Sequence, residues 1–125
     1  MKHSQIVKAY LALDRMSSNE MPLALGYQLF KIRKLLKPQW DFQREHLATM
    51  LKKYNPTELM DGTYKFKTPE EGEKCAIELN AELEKMNNMD VELADFKRPT
   101  IHLDTDIKIS IEDIDALSDF VNFVE

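Results

Sequence analysis

The chain has 125 residues, 43% hydrophobic and 31% charged, and its 17 basic and 22 acidic side chains give a net charge of −5. Domains commonly run about 100–150 residues, so a single domain is expected, with enough apolar side chains for a core and too many for wholesale disorder. No apolar run approaches the roughly 20 residues needed to cross a bilayer, the opening Met1-Lys2-His3-Ser4-Gln5 leads into no apolar signal core, and a lone Cys75 rules out an intrachain disulfide. A reducing cytoplasm is the expected setting.

Ser4 reads as the cap of a first helix of about 12–14 residues, because Ile6, Val7, Tyr10, Leu11 and Leu13 follow at helical spacing. Ser17-Ser18-Asn19 breaks it, and Pro22 suits the first position of the next helix. That second pattern covers 22–54, with Leu25, Leu29, Ile32, Leu36, Trp40, Leu47 and Tyr54 on one face. Tyr27, Phe30, Leu35 and Phe42 fall off the stripe, so this helix should contact more than one neighbour. Gly26 beside Ala24 offers a close approach to Ala9 or Ala12, or simply weakens the helix. Pro38 predicts a kink near 34–37, since proline removes a hydrogen bond and crowds the preceding turn. The apolar phase resumes at Trp40, which favours one kinked helix over two. A straight helix of that length spans about 48 Å, against a diameter of roughly 36 Å for a compact chain of this size. It must bend, protrude or be covered by a second subunit.

Asn55-Pro56 and Asp61-Gly62 signal turns, and 63–67 reads as a short edge strand. Thr68-Pro69-Glu70-Glu71 starts a third helix with cap, proline and capping-box glutamate; it should run to about Met86, with Cys75, Ala76, Leu79 and Leu83 on its stripe. Asn87-Asn88 ends it. Val91 and Leu93 then alternate with charged residues, as do Ile101, Leu103, Ile107 and Ile109, the period of half-buried strand. Asp104-Thr105-Asp106 is placed to turn the chain. Ser110 and Asp113 begin a last helix whose expected buried stripe is Ile111, Ile114, Leu117, Val121 and Val124.

Residues 1–54 carry a formal charge of +6 and residues 55–125 carry −11. Packing of the basic half on the acidic half is the leading explanation, and an acidic surface for a basic partner is the second. Arg33, Lys37 and Arg44 fall near one line on the long helix beside Leu36 and Trp40, among further lysines at 31 and 34. Nucleic acid is the weaker reading of that line, because the chain as a whole is acidic. Glu112, Asp115 and Asp119 build a carboxylate ridge on the expected final helix. An exposed helix face is the wrong place for acid–base catalysis, which needs a cleft that shifts pKa values; imitation of a phosphate backbone is the alternative.

His102, Asp104 and Asp106 would share one strand face, a metal-binding donor set, yet such residues also form the ordinary polar face of an amphipathic strand. Asp104-x-Asp106 fails as a calcium loop, with Ile109 where glycine is required. Cys75 lies in an apolar stripe, His3 sits near the terminus, and His46 has no evident carboxylate or cysteine companion. The three glycines form no phosphate-cradling loop, and no serine sits in a nucleophile elbow. No catalytic, cofactor-binding or metal residue is therefore assigned.

The stretches Ile6-Val7-Lys8-Ala9-Tyr10-Leu11-Ala12-Leu13 and Met21-Pro22-Leu23-Ala24-Leu25-Gly26-Tyr27, a lysine-rich helix, Val91-Glu92-Leu93, and Ile107-Lys108-Ile109-Ser110-Ile111-Glu112-Asp113-Ile114-Asp115-Ala116-Leu117 together carry a resemblance. The chain resembles a family of small phage and prophage proteins from Gram-positive hosts that carries a domain of unknown function. The similarity covers roughly 6–54 and 91–121 and consists of hydrophobic and capping patterns. It implies a viral origin and expression inside a bacterial host, and brings no catalytic residue, cofactor or partner.

The expected fold is α+β and mainly helical: a long kinked helix in a helical hairpin or bundle, a small antiparallel β-sheet and a C-terminal helix. The expected function is non-enzymatic and acts through protein contacts, either self-association as a homodimer or larger homo-oligomer or assembly with a phage component. Its candidate surface comprises Leu36, Trp40, Arg33, Lys37 and Arg44, with Glu112, Asp115 and Asp119. No cofactor, nucleic acid or membrane is expected. The alternative is an inhibitor that turns its acidic C-terminal half on a basic groove of a host protein; a metal enzyme centred on His102 ranks last.

Overall fold

In the computed structural model, which describes residues 1–104 and 107–125, the elements run α1 (His3–Met16), α2 (Leu23–Lys52), β1 (Thr57–Glu58), β2 (Tyr64–Lys65), α3 (Pro69–Asn87), β3 (Thr100–His102), α4 (Ile111–Leu117) and β4 (Asn122–Val124). The fold is α+β and mainly helical, with one long helix, a two-stranded antiparallel sheet and a C-terminal helix. None of the described helices is long and apolar enough to cross a membrane.

The cap of α1 is Lys2 rather than Ser4, and the reason is tertiary. The His3 N–H donates to the Met89 carbonyl at 2.9 Å and the Val91 N–H to the Met1 carbonyl at 2.8 Å. The N-terminus is thereby stitched to the chain leaving α3, and Gln5 Oε1 accepts the Lys2 N–H at 2.8 Å. Helix α1 is the hub: it packs on α2, α3 and α4, and its Ile6, Ala9, Tyr10, Ala12, Leu13 and Met16 are all buried. Leu29, Ile32 and Leu36 of α2 close on it, together with Ile101, Leu117, Phe120 and Val121 from the C-terminal third. Trp40 stacks on Tyr10 at 6.2 Å and Phe96 on Phe120 at 5.5 Å. The space beside Gly26 is taken by Met21, whose Cγ would lie 3.5 Å from an added Cβ.

Helix α2 continues through Pro38 to Lys52. Pro38 and Lys34 are both exposed, so water can satisfy the Lys34 carbonyl that has lost its donor four residues on. Asn55 then adopts φ 44°, a left-handed conformation that asparagine tolerates better than most residues. The expected edge strand shrinks to β2, paired antiparallel with β1 across a turn that Gly62 makes at φ 84°. Helix α3 starts as read: the Thr68 hydroxyl accepts the Glu71 N–H at 3.2 Å, with Pro69 at the first position.

The C-terminal third departs from its period. Val91, Leu93 and Phe96 pack half-buried on the core without forming a strand, and so do Ile107 and Ile109. Strand β3 keeps the alternation, Ile101 buried between exposed Thr100 and His102, but its partner is β4 and the pairing is parallel. Ser110 caps α4 by accepting the Asp113 N–H at 3.1 Å. The helix then stops at Leu117, and Ile111 is 86% exposed rather than buried. Arg98 donates to the Ser118 and Asp119 carbonyls, both at 3.1 Å, just past the end of the helix. Phe120 and Val121 turn into the core, and Val124 belongs to β4. The turn expected at Asp104-Thr105-Asp106 begins at Leu103 and Asp104; Thr105 and Asp106 lie outside the described residues.

Candidate interaction surface

The residues expected to form a contact surface separate in the structure. Leu36 is 0% exposed and belongs to the core, because the α2 stripe that carries it faces α1. Trp40 is half-buried against Tyr10. Arg33 pairs with Asp14 of α1, and Arg44 pairs with Asp41 at 3.4 Å while lying 5.9 Å over the Trp40 ring. Only Lys37 of the three basic residues stays exposed without an ion pair among the described residues.

Glu112 and Asp115 remain exposed and flank a groove of about 320 Å³ shared with Lys8, Leu11 and Arg15. Asp119 lies beyond the end of α4, so the three carboxylates do not form one helical ridge. Among the described residues the buried acid is Asp113. Its carboxylate is buried and accepts from Arg15 at 2.5 Å, which holds the guanidinium above its ordinary pKa through that hydrogen bond. Together with Lys2 and Asp90 at 3.1 Å, this pair joins the basic half to the acidic half.

His46 does have a carboxylate companion. Glu82 of α3 sits 2.8 Å from its Nε2, with Phe42 stacked on the imidazole at 5.8 Å. The hydrogen bond from His46 holds the Glu82 carboxyl below its usual range, helped by Lys85. The 36 residues separating the two hide the pair from any reading of local spacing. His3 is fully buried, with its ring nitrogens 3.4 Å from Gln39 Oε1 and 3.0 Å from Gln43 Oε1, and so ties α1 to α2. Burial raises the Cys75 thiol pKa, which keeps it protonated and inert. His102 lies in β3 and Asp104 in the following turn, while Asp106 is outside the described residues. Among the described residues no group of three or more His, Cys, Asp or Glu is placed to hold a metal ion.

What the first half of α2 presents instead is apolar. Leu23, Tyr27 and Phe30 are 90%, 58% and 53% exposed, and spacings of four and three place them on one face. Tyr27 and Phe30 stack at 6.4 Å, and Lys31 Nζ lies 4.8 Å from the Tyr27 ring. Beside them opens a cleft of about 270 Å³ between the end of α1 and the first turns of α2, lined by Leu13, Met16, Met21, Gly26, Leu29 and Phe30. The sequence carries this signal as two aromatics off the main stripe, Tyr27 and Phe30, and Leu23 joins them one turn earlier. Comparison of the chain with protein-family models, with curated proteins and with solved structures finds no match.

Proposed function

We propose that this protein works through contact with another protein chain, and that the contact surface is the outward face of the first half of α2. One observation carries this reading: three large apolar side chains stand exposed in consecutive turns beside an apolar cleft. Scattered exposed apolar residues are ordinary, whereas a contiguous patch rimmed by charge marks an interaction site. Covering a leucine or phenylalanine is worth about 1.5–3 kcal/mol. The role is non-enzymatic, and an origin in a phage acting inside a bacterial host goes with it through the sequence resemblance. Self-association and assembly with a phage component are the two forms it takes.

Tyr27→Glu with Phe30→Glu tests it. Both side chains are exposed, so the circular dichroism spectrum and melting temperature should stay close to those of the natural chain. Every association that the natural chain makes, with itself or with another protein, should be lost. Associations that survive in the folded variant contradict the proposal. Exposed Glu112 and Asp115, which form no ion pair among the described residues, support the second reading, docking of an acidic surface on a basic host protein. That reading requires salt-sensitive binding that Glu112→Lys with Asp115→Lys abolishes and the Tyr27 and Phe30 variant retains.

A further inference from the structure

The exposed face of α2 changes chemistry along its length. Leu23, Tyr27, Phe30, Lys34 and Lys37 are all exposed and follow one another at spacings of four and three, the seam along which one helix packs on another. The seam begins apolar and then turns basic. It ends at Asp41 and Arg44, which neutralise each other at 3.4 Å. From Met21 to Trp40 the chain carries Lys31, Arg33, Lys34 and Lys37 and no Asp or Glu. Arg33 is taken by Asp14 of α1, whereas the three lysines form no ion pair among the described residues. The flanks do not cancel this charge. No carboxylate lines the cleft of about 270 Å³ beside Phe30, and the groove of about 450 Å³ on the Lys31 side sets Lys31 and Lys97 against Asp95 alone.

Resting on the reading that this face is a contact surface, we infer that its occupant is an acidic amphipathic helix of a partner protein, with apolar side chains over Leu23, Tyr27 and Phe30 and Asp or Glu over Lys34 and Lys37. Charge complementarity carries the choice. A segment laid along the seam covers lysine ammonium groups as well as aromatic rings, so its apolar turns must be followed by carboxylates. A basic segment would set like charges against Lys34 and Lys37. Leu23 to Lys37 spans about 21 Å at 1.5 Å per residue, roughly four turns of a facing helix. The cleft beside Phe30 gives such a helix a place to anchor one large side chain. The lysine stems cover further apolar surface beneath the ion pairs. A polynucleotide supplies anions for the lysines and bases for the aromatics, yet no aliphatic side chain for Leu23 and the cleft.

The probe is a fluorescent helical peptide, stapled on its outer face, with leucines at spacings of four and three and glutamates in its last turns. Its twin carries lysines in place of the glutamates. Titrated with the full chain at low salt and followed by anisotropy, the glutamate peptide should bind about tenfold more tightly than the lysine peptide, and added salt should shrink the difference. Lys34→Glu with Lys37→Glu should invert the preference and leave the melting temperature close to that of the natural chain, since both side chains are exposed. Equal affinity for the two peptides, preference for the lysine peptide, or binding of neither overturns the inference. Tighter binding of oligothymidylate or of phosphatidylglycerol vesicles than of the glutamate peptide, lost in the Lys34 and Lys37 variant, overturns it in favour of a polyanion. Equal binding of both peptides that Tyr27→Glu with Phe30→Glu removes leaves the contact surface standing without its acidic preference. Binding that this last variant keeps contradicts the contact surface as well.

Discussion

Arg15 and Asp113 lie 98 residues apart in the chain, yet their ion pair clamps α4 to α1. The guanidinium is 57% exposed, so solvent screens its contribution, but the carboxylate it serves is buried and loses its partner when Arg15 is removed. Arg15→Met should lower stability by about 1–2 kcal/mol in urea unfolding, and an unchanged midpoint would show that water replaces the guanidinium. Two further residues set pH dependence. The depressed Glu82 pKa gives stability that is present above the ordinary carboxylate value of about 4.3 and lost as pH falls through the lower folded value. Glu82→Gln should therefore flatten the stability profile below about pH 4. The Glu78 carboxylate near the Tyr54 hydroxyl favours its protonated form and pushes its pKa up to about 12. Its contribution is complete below about pH 10 and is lost as pH rises through the folded value. The tyrosinate absorbance removed by Tyr54→Phe should accordingly titrate near pH 12; a midpoint near 10 would mean that Glu78 does not act on this hydroxyl. Local signals at this scale were legible, since Thr68, Pro69 and Ser110 announce their helices by immediate neighbours. The companions of His46, Asp113 and His3 were not, because each partner comes from a distant element.

At the level of elements, α2 shows what periodicity conveys. Its apolar phase resumes at Trp40, and the helix does continue through Pro38. An interior proline costs a helix about 3 kcal/mol, and Pro38 is exposed with nothing in the core to replace. Pro38→Ala should raise stability by about 1–3 kcal/mol; destabilisation would mean that the proline holds a bend on which packing depends. The last helix shows where periodicity misleads. Leu117 and Val121 are both buried, at a spacing of four, but α4 ends between them and Val121 reaches the core from outside the helix. Burial alone did not distinguish helix from irregular chain. The parallel pairing of β3 with β4 was equally hidden: alternation marks Ile101 as inward, while partner and direction depend on a segment about 20 residues away. Ser110→Ala should cost about 0.5–2 kcal/mol by uncapping α4, and would confirm that so short a helix still needs its cap.

At the scale of the whole molecule, the charged halves meet at a few pairs, and the apolar demand of α2 is met on one side only. Leu25, Leu29, Ile32 and Leu36 face α1 and the C-terminal third, while Leu23, Tyr27 and Phe30 stay exposed among the described residues. The sequence already indicated that α2 needed a second neighbour, but it placed that contact around Leu36 and Trp40, which the core has taken. Only three-dimensional packing shows which half of the helix remains open. The most direct measurement is the anisotropy of the glutamate peptide, titrated with the natural chain and with the Tyr27→Glu and Phe30→Glu double variant. The natural chain should raise the signal to saturation while the folded variant leaves it at the value of the free peptide. A folded variant that binds the peptide as the natural chain does would contradict the assignment of the contact surface to α2.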